Sequence, residues 1–476
     1  MPELTRSRRL LILAICCLSL LIVGMDNTIV TVALPSIRRD LHASVAGLQW
    51  TVDAYTLVLA SLLILSGSTA DRLGRRRTFQ TGLVLFTVGS LLCSVAPGLG
   101  WLIAFRAVQA IGGSMLNPVA MSIITNVFTD PRERAQAIGV WGGVVGISLG
   151  LGPILGGLLT ETIGWRSIFW VNVPIGIAAC VLAALFVPES RAPRARRLDP
   201  LGQLLVIVVL ASLTYAIIHA PQVGWLSGQT WLTIAVAVLA LGWLLRHEAR
   251  RRDPLIELRF FRSVPFSAAT VIAVCAFGSF AGFLFLNTLY LQDVRGLSAL
   301  DAGLFLLPQA ITAGILAPIS GRIVGSRGPR IPLVTAGIAM TLGGLMLTRL
   351  SDSTGYLWVI GALVVYGIGF GLVNAPITNT AVSGMPREQA GVAAAVASTS
   401  RQVGSSLGVA VIGSIVNTGA AADFSRNLAR SSHPAWWIVG GTGLVVLLLG
   451  LLSTTRRAAA TAQAAQVRGE PAVVPA

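Results

Sequence analysis

Fourteen stretches of mostly apolar residues punctuate the chain, at 10–34, 45–69, 78–97, 99–127, 135–160, 167–188, 200–219, 229–246, 265–290, 300–325, 331–350, 356–380, 389–417 and 434–454. A helix needs about 20 such residues to cross a bilayer. The pattern therefore predicts an all-α integral membrane protein with 14 transmembrane helices joined by short polar tracts. The arginines test this count. With the N-terminus placed inside, 26 of the 35 fall in inner tracts and 7 in outer ones, while Arg106 and Arg401 lie within spans. Inner loops are enriched in basic residues, and a missed or invented span would invert every later loop. The heaviest inner tracts are Arg72 with Arg75 to Arg77, Arg191 to Arg197, and Arg246 to Arg262. Trp50, Trp101, Trp165, Trp231, Trp358 and Trp436 fall at predicted outer ends, where an interfacial aromatic belt is expected.

The polar tracts repeat. GSTADRLGRRR from Gly67 has a counterpart in GRIVGSRGPR from Gly321, 254 residues later. Pro131-Arg132-Glu133 recurs as Pro386-Arg387-Glu388 at an offset of 255. Two motifs at nearly one offset indicate two related halves, a common plan for transporters. An offset of eight spans implies two extra helices between the halves, and the stretches at 200–219 and 229–246 read as that linker hairpin. The expected organisation is a six-helix bundle over 1–190, basic linkers with two extra helices over 191–262, a second six-helix bundle over 263–455, and a flexible cytoplasmic tail over 456–476.

Composition narrows the chemistry. Of 476 residues 54% are hydrophobic and 11% charged, and all 35 basic residues are Arg. Without lysine the chain has no P-loop lysine for ATP and no Schiff-base chemistry. The formal charge of +16 sits in tracts facing the anionic inner leaflet, which argues for lipid rather than nucleic acid. Cys16, Cys17, Cys93, Cys180 and Cys275 lie inside apolar runs without metal-type spacing. The first apolar run is too long for a cleaved signal and contains Asp26.

Charges within spans need a reason, because each costs about 2.5–3.5 kcal/mol at mid-bilayer. Asp26 and Asp53 lie toward the outer parts of adjacent spans, within reach of one polar cavity. Low dielectric penalises a carboxylate's charged form, which suits it to trade a proton with whichever side is open. Asp26 reads either as that proton site or as a hydrogen-bond acceptor between helices, and Asp53 has the same two readings. Arg106, Gln109, Gly113 and Asn117 share one face of their helix. Arg106 and Arg401 read as partners of an acid or as helix–helix hydrogen-bond donors. In GVWGGVVGISLGLGPILGG, Gly142, Gly146 and Gly150 repeat every four residues, and Gly152 and Gly156 do so on a neighbouring face. This spacing serves tight packing or a contact along which two half-bundles rock, with Pro153 as a kink. Gly404 and Gly408 form a thinner version.

These residues resemble a known family. Gly67, Ala70, Asp71, Arg72, Gly74 and Arg75 to Arg77 are similar to the signature loop of the major facilitator superfamily. Arg106 with Gln109 and Gly112 resembles its fourth-span motif, and Gly152-Pro153 with Gly156-Gly157 resembles its antiporter motif. MDNTIVTVALP from Met25, WRSIFWVNVPIG from Trp165, and Trp50 with Asp53 and Tyr55 are similar to motifs of fourteen-span drug:proton antiporters. The resemblance covers about the first 450 residues. It implies the major-facilitator fold, Asp26 as a proton or substrate carboxylate, Arg106 assisting proton transfer, and Asp71 with Arg72 gating the cytoplasmic side. It implies antiport from Gly152 and Pro153. Ser148 stands where the family has a glycine, at small expected cost. Spans 10 and 13 lack the interior acids of relatives that export organic cations, so a strongly cationic cargo is disfavoured. Gly325 and Ser326 replace Asp71 and Arg72 in the second half, which assigns the main inner gate to the first.

The expected function is proton-driven export of amphipathic drugs or antibiotics across the cell membrane by a multi-pass monomer with both termini cytoplasmic. It needs no cofactor beyond the proton gradient, and its partners are the small substrate, protons and lipids. The alternative is a dedicated exporter of one metabolite, antibiotic or lipid. An enzyme is disfavoured because His42, His219, His247 and His433 are scattered. A channel, or the membrane part of an ATP-driven pump, would tolerate Asp26→Asn.

Overall fold

The computed structural model describes residues 5–191, 199–251, 254–255, 257–382, 390–416 and 424–467, and these are helical with short connections. The helices are α1 (Arg6–Leu41), α2 (Val45–Leu73), α3 (Arg75–Ser94), α4 (Leu99–Val127), α5 (Pro131–Thr162), α6 (Ser167–Trp170), α7 (Asn172–Phe186), α8 (Pro200–Val223), α9 (Gly228–Arg250), α10 (Val264–Leu289), α11 (Ala299–Phe305), α12 (Leu307–Arg327), α13 (Arg330–Met346), α14 (Tyr356–Val382), α15 (Ala390–Val416), α16 (Phe424–Ser431), α17 (His433–Ser453) and α18 (Arg456–Val467). Among the described residues 11 helices are long and apolar enough to cross a membrane, and Arg330–Met346 is a shorter apolar helix. Each predicted stretch coincides with helix for most of its described length. The repeat Pro386-Arg387-Glu388 lies outside the described residues.

Capping chemistry moves several ends from where hydropathy put them. Helix α5 begins at Pro131 because Asp130 Oδ1 accepts from Arg132 N and Glu133 N, both at 2.9 Å, and proline suits a first turn. Ser44 caps α2 through Gly47 N at 3.2 Å. The stretch 300–325 breaks into α11 and α12 at Leu306, because Pro308 cannot donate to the preceding turn. The stretch 167–188 divides at Val171, which makes Asn172 the first residue of α7.

By contact the chain forms two units, Met1–Gln203 with Asn287–Ala310, and Leu204–Leu286 with Ile311–Ala476. In the first, α3 packs on α4 and α7, and α1 packs on α5. In the second, α13 packs on α14 and α17, and glycines close α10 on α15. A Cβ on Gly408 would stand 2.0 Å from the Gly278 carbonyl oxygen. The packing of α3 on α4 and α7 thus has a counterpart in that of α13 on α14 and α17. Aromatic rings fill the second core, with Phe283 stacked on Tyr366 at 3.9 Å and edge-on to Trp436 at 5.6 Å. Helices α8 and α9 share a small cluster of Leu205, Ala240 and Leu244. The outer face of α9 leaves Leu239 73% and Trp243 57% exposed, as a lipid-facing helix does.

Two expectations need correction. Trp436 is not a belt residue: it is fully buried, and its indole N–H donates to Ser432 Oγ at 3.1 Å. Its neighbour Trp437 is exposed, one helical step of about 100° around α17. Trp165 is also buried and donates to Asp40 at 2.9 Å. Within the C-terminal segment, Arg456–Val467 form α18, and Thr461 Oγ1 accepts from Val264 N at 3.0 Å.

Candidate functional site

The membrane-embedded charges of the first unit converge on one carboxylate. Asp26 of α1 is fully buried, and its Oδ2 accepts from Arg106 Nη1 at 2.5 Å. Its Oδ1 accepts from Gln109 Nε2 at 2.8 Å and from Asn172 Nδ2 at 3.1 Å. Gln109 also donates to Ser90 Oγ at 2.6 Å, and Arg106 donates to Gln109 Oε1 at 2.7 Å. Arg106 Nε reaches the Thr51 carbonyl at 3.3 Å, and its guanidinium lies 4.2 Å from the centre of the Tyr55 ring. Helices α1, α2, α3, α4 and α7 therefore meet at one polar cluster inside an apolar bundle.

Backbone proximity makes the cluster possible. A Cβ on Gly89 would stand 2.5 Å from Gln109 Cα, and one on Gly112 would stand 2.3 Å from Phe86 N. Those two contacts bring α3 against α4 and set Ser90 beside Gln109. Arg106 and Gln109 are three residues apart and so point the same way. The Asp26 carboxylate is surrounded by donors from Arg106, Gln109 and Asn172, and Arg106 is the charged group among them. An ion pair this buried is costly to break, because the remaining partner keeps an uncompensated charge.

The other expected residues are placed as follows. Asp53 is fully buried on α2 between Thr51 and Tyr55, both of which touch Arg106. Asn117 is half-buried two turns beyond Gln109 and belongs to no hydrogen bond of the cluster. Arg401 lies in the second unit, where it donates to Ser398 and Thr378 and packs over Phe277 at 5.7 Å. Ser90 and Asn172 were not singled out from sequence. Asn172 lies in the quoted WRSIFWVNVPIG stretch, but nothing in its spacing marks it as a partner of Asp26.

The loop after α2 is built around a residue that the sequence reading missed. Asp71 pairs with Arg75 at 3.0 Å, whereas Arg72 is exposed. Glu189, just after α7, accepts from Arg76 N at 3.1 Å and Arg77 N at 3.3 Å, so its carboxylate caps the positive end of α3. Gly74 has φ +116° and touches that carboxylate, since a Cβ there would stand 2.5 Å from Glu189 Oε1. Gly67 is not crowded: its nearest neighbour, Pro118 Cβ, would be 4.0 Å from an added Cβ.

The GP–GG stretch of α5 faces two ways. A Cβ on Gly152 would stand 1.9 Å from Thr28 Oγ1, and one on Gly156 would stand 2.8 Å from the Ile29 carbonyl oxygen, both on α1. Gly157 instead abuts Ala299 O at 2.5 Å, and the Pro153 carbonyl oxygen would lie 2.3 Å from a Cβ on Gly303. All four contacts lie inside the first unit. Gly152 and Gly156 thus pack tightly on α1, one of the two uses their spacing suggested, while Gly157 and Pro153 abut α11. Ser148 is accommodated by Gly24, where an added Cβ would meet Ser148 Oγ at 2.2 Å. The glycine absent from α5 reappears on α1.

Residues 16–409 match the sequence model of the Major Facilitator Superfamily. The chain belongs to the Major Facilitator Superfamily. It is 36% identical over 414 residues to the multidrug resistance protein Stp of Mycobacterium tuberculosis, covering 87% of this chain and 77% of that one. It is 38% identical over 419 residues to the tetracenomycin C resistance and export protein of Streptomyces glaucescens, with the same two shares. Among solved structures, a bacterial homologue of the human lysosomal transporter Spinster superposes with a TM-score of 0.66 at 17% identity, covering 97% of both chains. That likeness supports the major-facilitator fold. Superfamily membership makes the chain a multi-pass membrane transporter rather than an enzyme.

Proposed function

We propose that this major-facilitator chain is a proton-coupled exporter of amphipathic drugs or antibiotics. The observation that carries the reading is the buried Asp26–Arg106 pair with its shell of Gln109, Asn172 and Ser90. As an ion, Asp26 uses both oxygens to hold donors from two other helices. On taking a proton, it loses its attraction for Arg106 and becomes a donor itself. The polar contacts of α1, α4 and α7 must then be redistributed, which ties protonation to helix position. Release of that proton on the other side restores the pair. The cycle is charge exchange at one oxygen and needs no cofactor. Asp53, two residues from each of Thr51 and Tyr55, serves as a second carboxylate on the same path.

The chain has fourteen spans, arranged as six, the hairpin α8–α9, and six, with both termini cytoplasmic and the monomer as the working unit. The loop from Gly67 to Arg77, fastened by Asp71–Arg75 and by Glu189, is the cytoplasmic clasp. The glycines and Pro153 of α5 hold α1 and α11 close and seal the path against proton leak. The relatives named for multidrug resistance and for tetracenomycin C resistance and export support a drug-like cargo. A relative named for a single compound also supports a dedicated exporter as the alternative.

The test is transport in inverted vesicles with and without a pH gradient. A panel of amphipathic compounds should be accumulated only with the gradient, and Asp26→Asn should abolish accumulation while the protein remains in the membrane. Full uphill transport by Asp26→Asn would remove Asp26 from the coupling step.

A further inference from the structure

We propose that Arg401 and the cavity beside it form a recognition site for the carboxylate of an organic anion. This deepens the exporter reading by naming a cargo class. A charge placed within a membrane helix is normally balanced by a partner. Arg106 has Asp26, but Arg401 has neutral contacts alone among the described residues: Ser398 Oγ at 3.4 Å, Thr378 Oγ1, and the face of Phe277. Its Nε is buried without a hydrogen-bond partner. Helices α10, α12, α13, α14, α15 and α17 contain no Asp or Glu at all.

Thr378, which takes one of the guanidinium donors, also lines a widely open recess of about 480 Å³ between α12 and α14, so that recess meets Arg401 through Thr378. That volume suits a small drug-sized molecule. The opposite wall carries Gly321 and Gly325, where an added Cβ would meet nothing within 4 Å, so the wall leaves room for an apolar body. A planar guanidinium matches a carboxylate in two parallel hydrogen bonds. An anion entering this cavity brings the missing counter-charge, whereas a cation meets uncompensated positive charge. The cavity is lined mainly by apolar groups, which suits an amphipathic acid.

The experiment compares naphthaleneacetate with its methyl ester, by equilibrium binding to the full chain in phosphatidylcholine nanodiscs. No gradient is applied, so failure of proton coupling leaves the result standing. The wild type should bind the acid about tenfold tighter than the ester, in line with one charge-assisted hydrogen-bond pair. R401Q should lose that preference while keeping the ester affinity, which also shows that it is folded. R401K should retain part of it, as a point charge without the planar fork. An unchanged preference in R401Q, or none in the wild type, overturns the proposal. A preference abolished by phosphatidylglycerol in the nanodisc also overturns it, because the site then belongs to lipid phosphate.

Discussion

Asp26→Asn separates two consequences of one interaction. The substitution keeps shape but leaves Arg106 fully buried with neutral neighbours, Gln109 and the Thr51 carbonyl. Removing one member of a buried pair costs about 3–5 kcal/mol, mostly from the charge left behind. Thermal unfolding in detergent should therefore show a clear loss of stability in the single variant. The double variant Asp26→Asn with Arg106→Gln removes both charges and should regain most of that loss. Transport should not follow stability. A potential of about 100 mV supplies about 2.3 kcal/mol per charge moved, which sustains roughly a fifty-fold gradient. Without Asp26 to carry the coupled proton, both variants should equilibrate cargo and build no gradient, whatever their stability. The assay is steady-state accumulation in inverted vesicles at matched protein level. A double variant as unstable as the single one would refute the charge argument. A fifty-fold gradient in either variant would refute the coupling argument.

Other substitutions test the packing that holds this site. Gly24→Ala should destabilise the first unit by about 1–3 kcal/mol through its collision with Ser148, and Ser148→Gly should rescue it in a thermal melt. Glu189→Gln should weaken the start of α3 by about 0.3–1 kcal/mol, read as faster proteolysis of the Gly67 to Arg77 loop; an unchanged rate would show that the carboxylate does not cap α3. Trp436→Ala should cost about 3–5 kcal/mol, while Trp437→Ala should cost little, and equal melting losses would mean that their faces are assigned wrongly.

The sequence alone determined the membrane class, because apolar runs of spanning length have no other use at this charge density. It also suggested a two-fold plan, from motifs about 254 residues apart, and the packing of α3 on α4 and α7 has a counterpart in that of α13 on α14 and α17. Asp26, Arg106 and Gln109 were legible because polar residues in oil are few and must face inward. Which acid pairs with which arginine was decided only by the tertiary structure, since the partners are 80 residues apart. Ser90, Asn172 and Glu189 were invisible for a related reason: each is ordinary in its own helix or loop and matters through a neighbour that packing supplies. The buried face of Trp436 and the exposed face of Trp437 differ by a rotation that hydropathy cannot fix. Linear pattern sets how deep a residue lies, whereas close approach of backbones, here at Gly24, Gly89, Gly112 and Gly152, sets what it touches.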